Sequence, residues 1–377
     1  MQINIVLAGL AGAALAENIA LATLPMSVLL LTAMFWAPLA SHLMGKFGRR
    51  AGFLFGAMCG AIGGALAAFA LMIGSFELLL LGAGFTGVYY SFHGFYRFAA
   101  ADTASEVFRP KAISFVLAGG LVGATLGSEV VQVASDFFAP IPFAGAYVVV
   151  ALLSVIGAIG LLFLDIPLLP HNHKDRPVGR PISDILRQPE TIVAMLCAMI
   201  SYGIMTLVMT STALAMLEQG FSLDQAADVV LWHALAMFGP SFITGTIISR
   251  FGHLRVMSVG LLLLGVSCMI AIAGVDLENF YMALIALGLG WNFGFVGATS
   301  LLSNTHTAGE RAKVQGLNDF LVLGTVSLAS LGSGVLLNLY GWSVVQMAGL
   351  PAIVIASVAL IWLGVSKRGG TFVTLSE

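Results

Sequence analysis

Long apolar runs alternate with short basic clusters along this chain. Lys46, Arg49 and Arg50 form the first cluster; Arg97, Arg109 and Lys111 the second; Lys174, Arg176, Arg180 and Arg187 the third. Arg250 with Arg255, Arg311 with Lys313, and Lys367 with Arg368 complete the set. Six stretches without a cation lie between them: 1–45, 51–96, 112–173, 188–249, 256–310 and 314–366. At about 1.5 Å per residue, about 20 helical residues cross a hydrocarbon core of about 30 Å, so each stretch holds two spans and a tight hairpin. The pattern predicts twelve helices, over residues 3–16, 19–44, 51–73, 76–99, 112–134, 141–164, 191–217, 226–249, 256–275, 279–303, 312–337 and 342–366. Helices are the required form, because backbone groups in the bilayer core have no water to bond. One long polar segment interrupts them. Residues 165–190, with Pro167, Pro170, Lys174 and Pro177, read as a linker between two six-helix halves, 1–164 and 191–366, with a tail over 367–377.

Composition narrows the class. Hydrophobic types make up 59% of the 377 residues, mean hydropathy is +1.00, and charged types are 9%, against about 25% in a soluble protein. So few charges cannot solvate a surface, which excludes soluble enzymes, nucleic-acid binders and disordered regulators and predicts an all-α polytopic membrane protein whose surroundings are the lipid bilayer. Because positively charged loops stay cytoplasmic, the basic clusters place the linker and both termini inside, and a bacterial inner membrane is expected. The hairpin tips agree, carrying Glu17, Glu77, Asp136, Glu218, Asp224, Asp276 and Glu278 without a cation.

The two halves carry matching loops. Gly48 follows Lys46-Phe47 and precedes Arg49-Arg50; 204 residues later Gly252 follows Arg250-Phe251 and precedes His253-Leu254-Arg255. Arg109-Pro110-Lys111 and Arg311-Ala312-Lys313 repeat at an offset of 202. Two loops with one spacing predict a duplicated unit, and internal repeats of this kind build secondary transporters. On these residues the chain resembles the major facilitator superfamily over nearly its whole length. That family's loop between helices two and three reads GxxxD(R/K)xG(R/K)(R/K). Here its positions hold Ser41, Gly45, Lys46, Gly48, Arg49 and Arg50, and in the second copy Gly245, Ser249, Arg250, Gly252 and His253. Gly45 and Ser249 stand where the family has Asp. The resemblance implies a fold of twelve helices in two halves, with this loop latching their cytoplasmic ends; without the carboxylate the latch must be weaker or made differently. The family's antiporter pattern in helix five, GxxxGPxxGG, is met at Gly123 and Gly127 with Ser128 in place of Pro, a partial match to export by antiport.

Aligned on the repeat, Met1 falls opposite Gly203, so residues 190–202 of helix seven have no counterpart in helix one. A shortened first helix is expected, with a native start upstream of Met1. A signal peptide cut after Ala14-Leu15-Ala16 is disfavoured, since no Lys or Arg precedes the apolar run.

Against this background a few polar residues stand out. A charge near the bilayer centre costs at least about 2.5–3.5 kcal/mol on insertion scales, which makes an intramembrane carboxylate a functional candidate. Asp319 lies six residues past Lys313 and follows Gln315 and Asn318; at about 9 Å along helix eleven it is the first candidate to carry a coupling proton or pair with a cation. Glu129, 18 residues past Lys111, is the second, nearer the outer surface. In helix four, Phe85, Tyr89, Phe92 and Tyr96 share one face, and Tyr90, His93 and Arg97 form the adjoining stripe. The resemblance implies that helices one, four, seven and ten line a central cavity, so one stripe turns inward and Tyr89, Tyr90, His93 and Arg97 become candidate substrate contacts. Tyr202 and Thr206 on helix seven, Trp291 and Asn292 on helix ten, and Asn318 are lesser candidates; a threonine more often bonds back to its own helix, and a lone histidine such as His233 more often packs.

No GxxxxGK(S/T), HExxH or CxxC pattern occurs, and Cys59, Cys197 and Cys268 fall within spans, so no cofactor, metal or disulfide framework is expected. His171 and His173 read as solvated linker. The expected function is secondary, proton-coupled transport of a small organic solute by alternating access, carried out by a monomer that is not an enzyme. The second reading, a non-transporting receptor or membrane enzyme, lacks the polar cluster at one membrane face that an enzyme needs.

Overall fold

The computed structural model describes residues 2–18, 21–135, 137–164, 166 and 179–373, without the side chains of residues 2–6, 128–132, 223 and 367–373. Every regular element among them is a helix: α1 (Gln2–Leu15), α2 (Leu24–Phe47), α3 (Arg49–Ile73), α4 (Phe76–Gly94), α5 (Tyr96–Thr103), α6 (Arg109–Ala134), α7 (Ala144–Leu162), α8 (Ile182–Ile185), α9 (Pro189–Glu218), α10 (Leu223–Phe238), α11 (Ser241–Phe251), α12 (His253–Ala273), α13 (Leu277–Leu302), α14 (Arg311–Tyr340) and α15 (Trp342–Val373). Among the described residues, ten helical stretches are long and apolar enough to cross a membrane. The other two expected spans are α4 and α1, whose 14 residues rise only about 21 Å. Most of the linker, with His171 and His173, lies outside the described residues.

Two expected spans are broken. Helix four divides at Phe95 into α4 and α5, and helix eight divides at Gly239-Pro240 into α10 and α11. Proline has no N–H to continue the ladder, and the glycine before it adds little helical preference, so the chain restarts with Pro240 as the cap of α11. Pro38, preceded by Ala37, stays inside α2.

The duplication is written in the backbone. Gly48 ends α2 at φ 90°, ψ 157°, and Gly252 ends α11 at φ 84°, ψ 158°. Each donates its N–H four residues back, to Met44 and Ile248. A side chain at such a φ is strained, which is why both loops keep glycine there. Helix neighbours repeat as well: α3 packs on α4 and α7 as α12 packs on α13 and α15, and α2 meets α4 as α10 meets α13. Close approach depends on glycine: a Cβ on Gly64 would lie 2.8 Å from the Ala151 nitrogen of α7, and one on Gly290 would lie 2.9 Å from the Leu264 nitrogen of α12.

By contacts the chain forms two compact units whose membership does not follow the two sequence halves. Unit 1 comprises Met1–Ala99, Val122–Gly179 and Ala308–Ser327; unit 2 comprises Ala100–Leu121, Arg180–Thr307 and Leu328–Glu377. The first turns of α14 therefore belong with the N-terminal helices, and the first turns of α6 with the C-terminal ones. Unit 1 has a core of small and aliphatic residues, with Leu7, Ala11, Ala67, Leu71, Leu79 and Tyr147 buried together. In unit 2, Ile113 of α6 is buried with Ile248, Val256 and Val296. The outer faces stay apolar, as a lipid-facing surface requires: Val354, Val358, Ile361 and Val365 of α15 are all exposed.

Candidate functional site

Unit 1 holds a charged network inside its helices. Arg97, in the first turn of α5, forms an ion pair with Asp319 of α14; the two are 7% and 4% exposed. The break at Phe95 makes this possible, since it frees the Gly94 carbonyl, which accepts from Arg97 Nη1 at 2.7 Å. The guanidinium also lies over the Phe98 ring at 4.5 Å. Asn318 Nδ2 donates to Asp319 Oδ1 at 2.9 Å. One turn earlier, Arg49 Nη2 donates to the buried Gln315 Oε1 at 2.5 Å. Gly94 leaves room for the pair: a Cβ there would sit 3.0 Å from Asp319 Oδ2. Gly45, at the family's Asp position, is similarly close to α14, with a built Cβ 3.3 Å from that of Ala312. The position that lacks its carboxylate is thus taken up by helix packing, and the polar contacts to α14 run through Arg49 with Gln315 and Arg97 with Asp319.

The repeat sharpens the contrast. At the offset of 202, Gln315 and Asp319 correspond to Ile113 and Leu117, and in unit 2 these pack with Ile248, Val256 and Val296 as an apolar cluster. The carboxylate of the pair belongs to the second copy and the guanidinium to the first, and neither has a charged counterpart at the offset of 202, where Leu117 and Thr299 stand.

Beside the pair, the two stripes that run through α4 into the first turn of α5 do different things. Tyr89, Phe92 and Tyr96 turn toward α3: Phe92 is buried against Gly56, the Tyr89 ring lies over Gly60, and Tyr96 meets Phe53 at 4.4 Å. The adjoining stripe faces α2 and α14, with Tyr90 packed on Ala33, Ala37 and Leu323 and with Arg97 on Asp319. His93 is exposed among three tyrosine rings, 6.5 Å from Tyr90, 6.1 Å from Tyr89 and 5.3 Å from Tyr96. Glu129 lies in α6, and its side chain is outside the described residues.

Unit 2 carries an aromatic cluster. Trp291 and Phe295, one turn apart on α13, stack at 5.2 Å and 18°. Tyr202 of α9 meets both edge-on, at 5.5 and 5.1 Å, and Phe238 of α10 meets Trp291 at 5.7 Å. Such pairs each add about 0.5–1.5 kcal/mol beyond burial. The buried Trp291 Nε1–H has no hydrogen-bond partner among the described residues, which a buried donor ordinarily finds. Thr206 bonds back to the Tyr202 carbonyl at 2.9 Å. Asn292 is fully buried, donating to Met237 O and Ser241 Oγ and accepting from Thr244 Oγ1 at 2.6 Å. Both its donors are occupied in tying α13 to the α10–α11 break. His233 is held through Nδ1 by the Leu284 carbonyl at 2.9 Å, a packing histidine.

Phe238 and Phe295 are not among the residues that the sequence singles out. Phe295, four residues past Trp291, carried the helical-spacing signal that would have found it; Phe238 carried none.

The loop motif residues divide similarly. Arg50 donates to the Leu162 carbonyl at the end of α7, and Lys46 lies over Phe47 at 5.1 Å. Ser41 faces Gly316 of α14 in unit 1, while Gly245 donates its N–H to Ser114 of α6 at 3.0 Å in unit 2.

A family model described as Major Facilitator Superfamily matches residues 2–240 and 194–374. The riboflavin transporter RfnT of Brucella anthropi is 41% identical over 363 residues, covering 95% of this chain and 90% of that protein. An MFS-type transporter of Bacillus subtilis, YddS, is 28% identical over 350 residues, covering 87% of this chain and 80% of that protein. Among solved structures, the human organic anion transporter MFSD10 has a TM-score of 0.73 at 18% identity, covering 95% of this chain and 89% of that one. The E. coli fucose:proton symporter FucP has a TM-score of 0.68 at 15% identity, covering 96% and 97%. At those identities the two structures attest a common fold.

Proposed function

Because the chain belongs to the major facilitator superfamily, and so is a multi-pass membrane transporter of a small molecule rather than an enzyme, we propose that it carries a flat heteroaromatic solute of the riboflavin class across the bacterial cytoplasmic membrane, coupled to protons, by alternating access. The observation that carries the coupling is the buried Arg97–Asp319 pair. An ion pair in a low-dielectric interior gains little over apolar residues of similar volume, and the first copy has Ile113 and Leu117 where the second has Gln315 and Asp319. A buried pair kept at such a cost is explained by a working role. A proton on Asp319 removes the charge that holds Arg97; the guanidinium must then find other acceptors, and the contacts between α5 and α14 change with the protonation state.

The substrate class is supported by the 41% identity to a riboflavin transporter over nearly the whole chain and by the aromatic residues. An isoalloxazine ring is large, planar and rich in acceptors. Each unit by itself carries such surface: in unit 1 Tyr90 and His93 offer rings on α4, and in unit 2 Trp291 offers a ring with an N–H that has no protein acceptor among the described residues. Riboflavin flux into proteoliposomes under an imposed pH gradient is the test. Accumulation driven by the gradient and abolished by a protonophore is expected. Equal flux with and without the gradient overturns the coupling, and absence of any riboflavin flux or binding overturns the substrate class.

A further inference from the structure

Unit 2 contains a cleft of about 440 Å³ at the membrane edge on the side of the basic clusters, lined by Phe251, Gly252, Leu254, Arg255 and Leu301 and by the end of α15 at Ile361, Gly364 and Val365. Its walls are of two kinds. Ile361, Val365 and Phe251 are exposed apolar side chains, 64%, 65% and 49% accessible, which in a spanning helix means contact with acyl chains. At the mouth stands the exposed Arg255, with Arg250 nearby lying over the Phe251 ring at 5.3 Å. Neither arginine forms an ion pair among the described residues.

The sequence explains why. Residues 229–275, 279–309 and 320–376, which supply every wall of the cleft, contain no Asp or Glu, whereas Lys367 and Arg368 follow Val365 after a single serine, Ser366. The positive charge here has no protein counter-charge in the segments that build the cleft.

The first copy shows that such an opening is not inherent in the repeat. There Arg50 reaches the Leu162 carbonyl at the end of α7 and bridges the corresponding helices. At the offsets of 204 and 202 these positions become Leu254 and Gly364. A leucine cannot make that bond, and a Cβ on Gly364 would meet only Leu254 Cδ1, at 4.0 Å. The bridge is lost and the gap stays open.

We propose that this cleft binds an anionic phospholipid of the leaflet on the basic side, its phosphate on Arg255 and Arg250 and an acyl chain along Ile361 and Val365. Clusters of cations at the end of a spanning helix attract anionic headgroups, and the apolar wall that continues into the bilayer selects a lipid over a free anion. The site is separate from the Arg97–Asp319 pair and does not depend on the substrate.

Native mass spectrometry of the detergent-purified full chain tests it, with palmitoyl-oleoyl-phosphatidylglycerol and phosphatidylethanolamine of the same acyl chains as probes. Phosphatidylglycerol is expected to be retained over phosphatidylethanolamine. Arg255→Gln should weaken it about five-fold, Gly364→Leu should abolish retention by filling the cleft, and Lys313→Gln, on another cytoplasmic cluster, should leave it unchanged. Arg255→Gln lies on the surface and keeps the test decisive if Gly364→Leu lowers yield. Equal retention of the two lipids overturns the proposal, as does unchanged phosphatidylglycerol affinity in Arg255→Gln. Displacement of the lipid by inorganic phosphate at matched concentration overturns it too, because the site would then take a free anion.

Discussion

Asp319 shows what scarcity of charge makes visible. In a chain with 9% charged residues, a carboxylate inside an apolar helix, six residues past Lys313, is conspicuous, as is Arg97 four residues past His93. Their pairing was not legible, because the two lie 222 positions apart and the break at Phe95 that turns Arg97 toward α14 leaves no proline or glycine pair in the sequence to announce it. Removing one partner of a buried pair leaves the other charge uncompensated, at a cost of about 3–5 kcal/mol. Arg97→Gln and Asp319→Asn should therefore each lower the unfolding temperature in detergent, while the double variant recovers part of the loss. Additive losses in the double variant would show that the two side chains are not coupled. Gly94 tests the same geometry from the side. A methyl there meets Asp319 Oδ2 at 3.0 Å, so Gly94→Ala should reduce transport with little change in protein yield, measured as flux per reconstituted molecule.

At the scale of helices, apolar run lengths and basic loops marked the elements well, and the glycines at 48 and 252 marked the duplication down to matching dihedral angles. What the pattern did not reveal were the interruptions and the partners. Gly239-Pro240 is a recognisable break that an unbroken apolar run concealed. The membership of the first part of α14, up to Ser327, in unit 1 has no local signature; it goes with small residues meeting, with Gly316 against Ser41 and Pro38. A Cβ on Gly316 would lie 3.0 Å from the Ser41 Cβ and 3.2 Å from the Pro38 Cα, whereas one on Gly332 of the same helix meets nothing within 4 Å. Overpacking costs about 1–3 kcal/mol. Gly316→Leu should lower the thermal unfolding midpoint, and Gly332→Leu should leave it unchanged or slightly raised; equal shifts would remove the close approach as the cause.

For the whole molecule, the same sixteen Lys and Arg that delimit the spans also set an orientation through the positive-inside bias. The native cysteines at 59, 197 and 268 are buried, which leaves a low background for labelling. Glu106 and Glu218 are both exposed, one beside Arg109 and the other at the end of α9. With an impermeant thiol reagent applied to intact cells, Glu218→Cys should label and Glu106→Cys should label only after the membrane is opened. The reverse pattern would invert the topology and place the basic clusters outside.

The central claim joins these scales: one buried carboxylate, present in a single copy of a duplicated transporter, makes transport respond to protons. The most direct measurement compares wild type with Asp319→Asn in proteoliposomes, reading riboflavin accumulation under an imposed pH gradient alongside gradient-free exchange. The account predicts that wild type accumulates riboflavin and that Asp319→Asn loses gradient-driven accumulation while keeping riboflavin binding. Accumulation by Asp319→Asn equal to wild type, and equally sensitive to a protonophore, would contradict it.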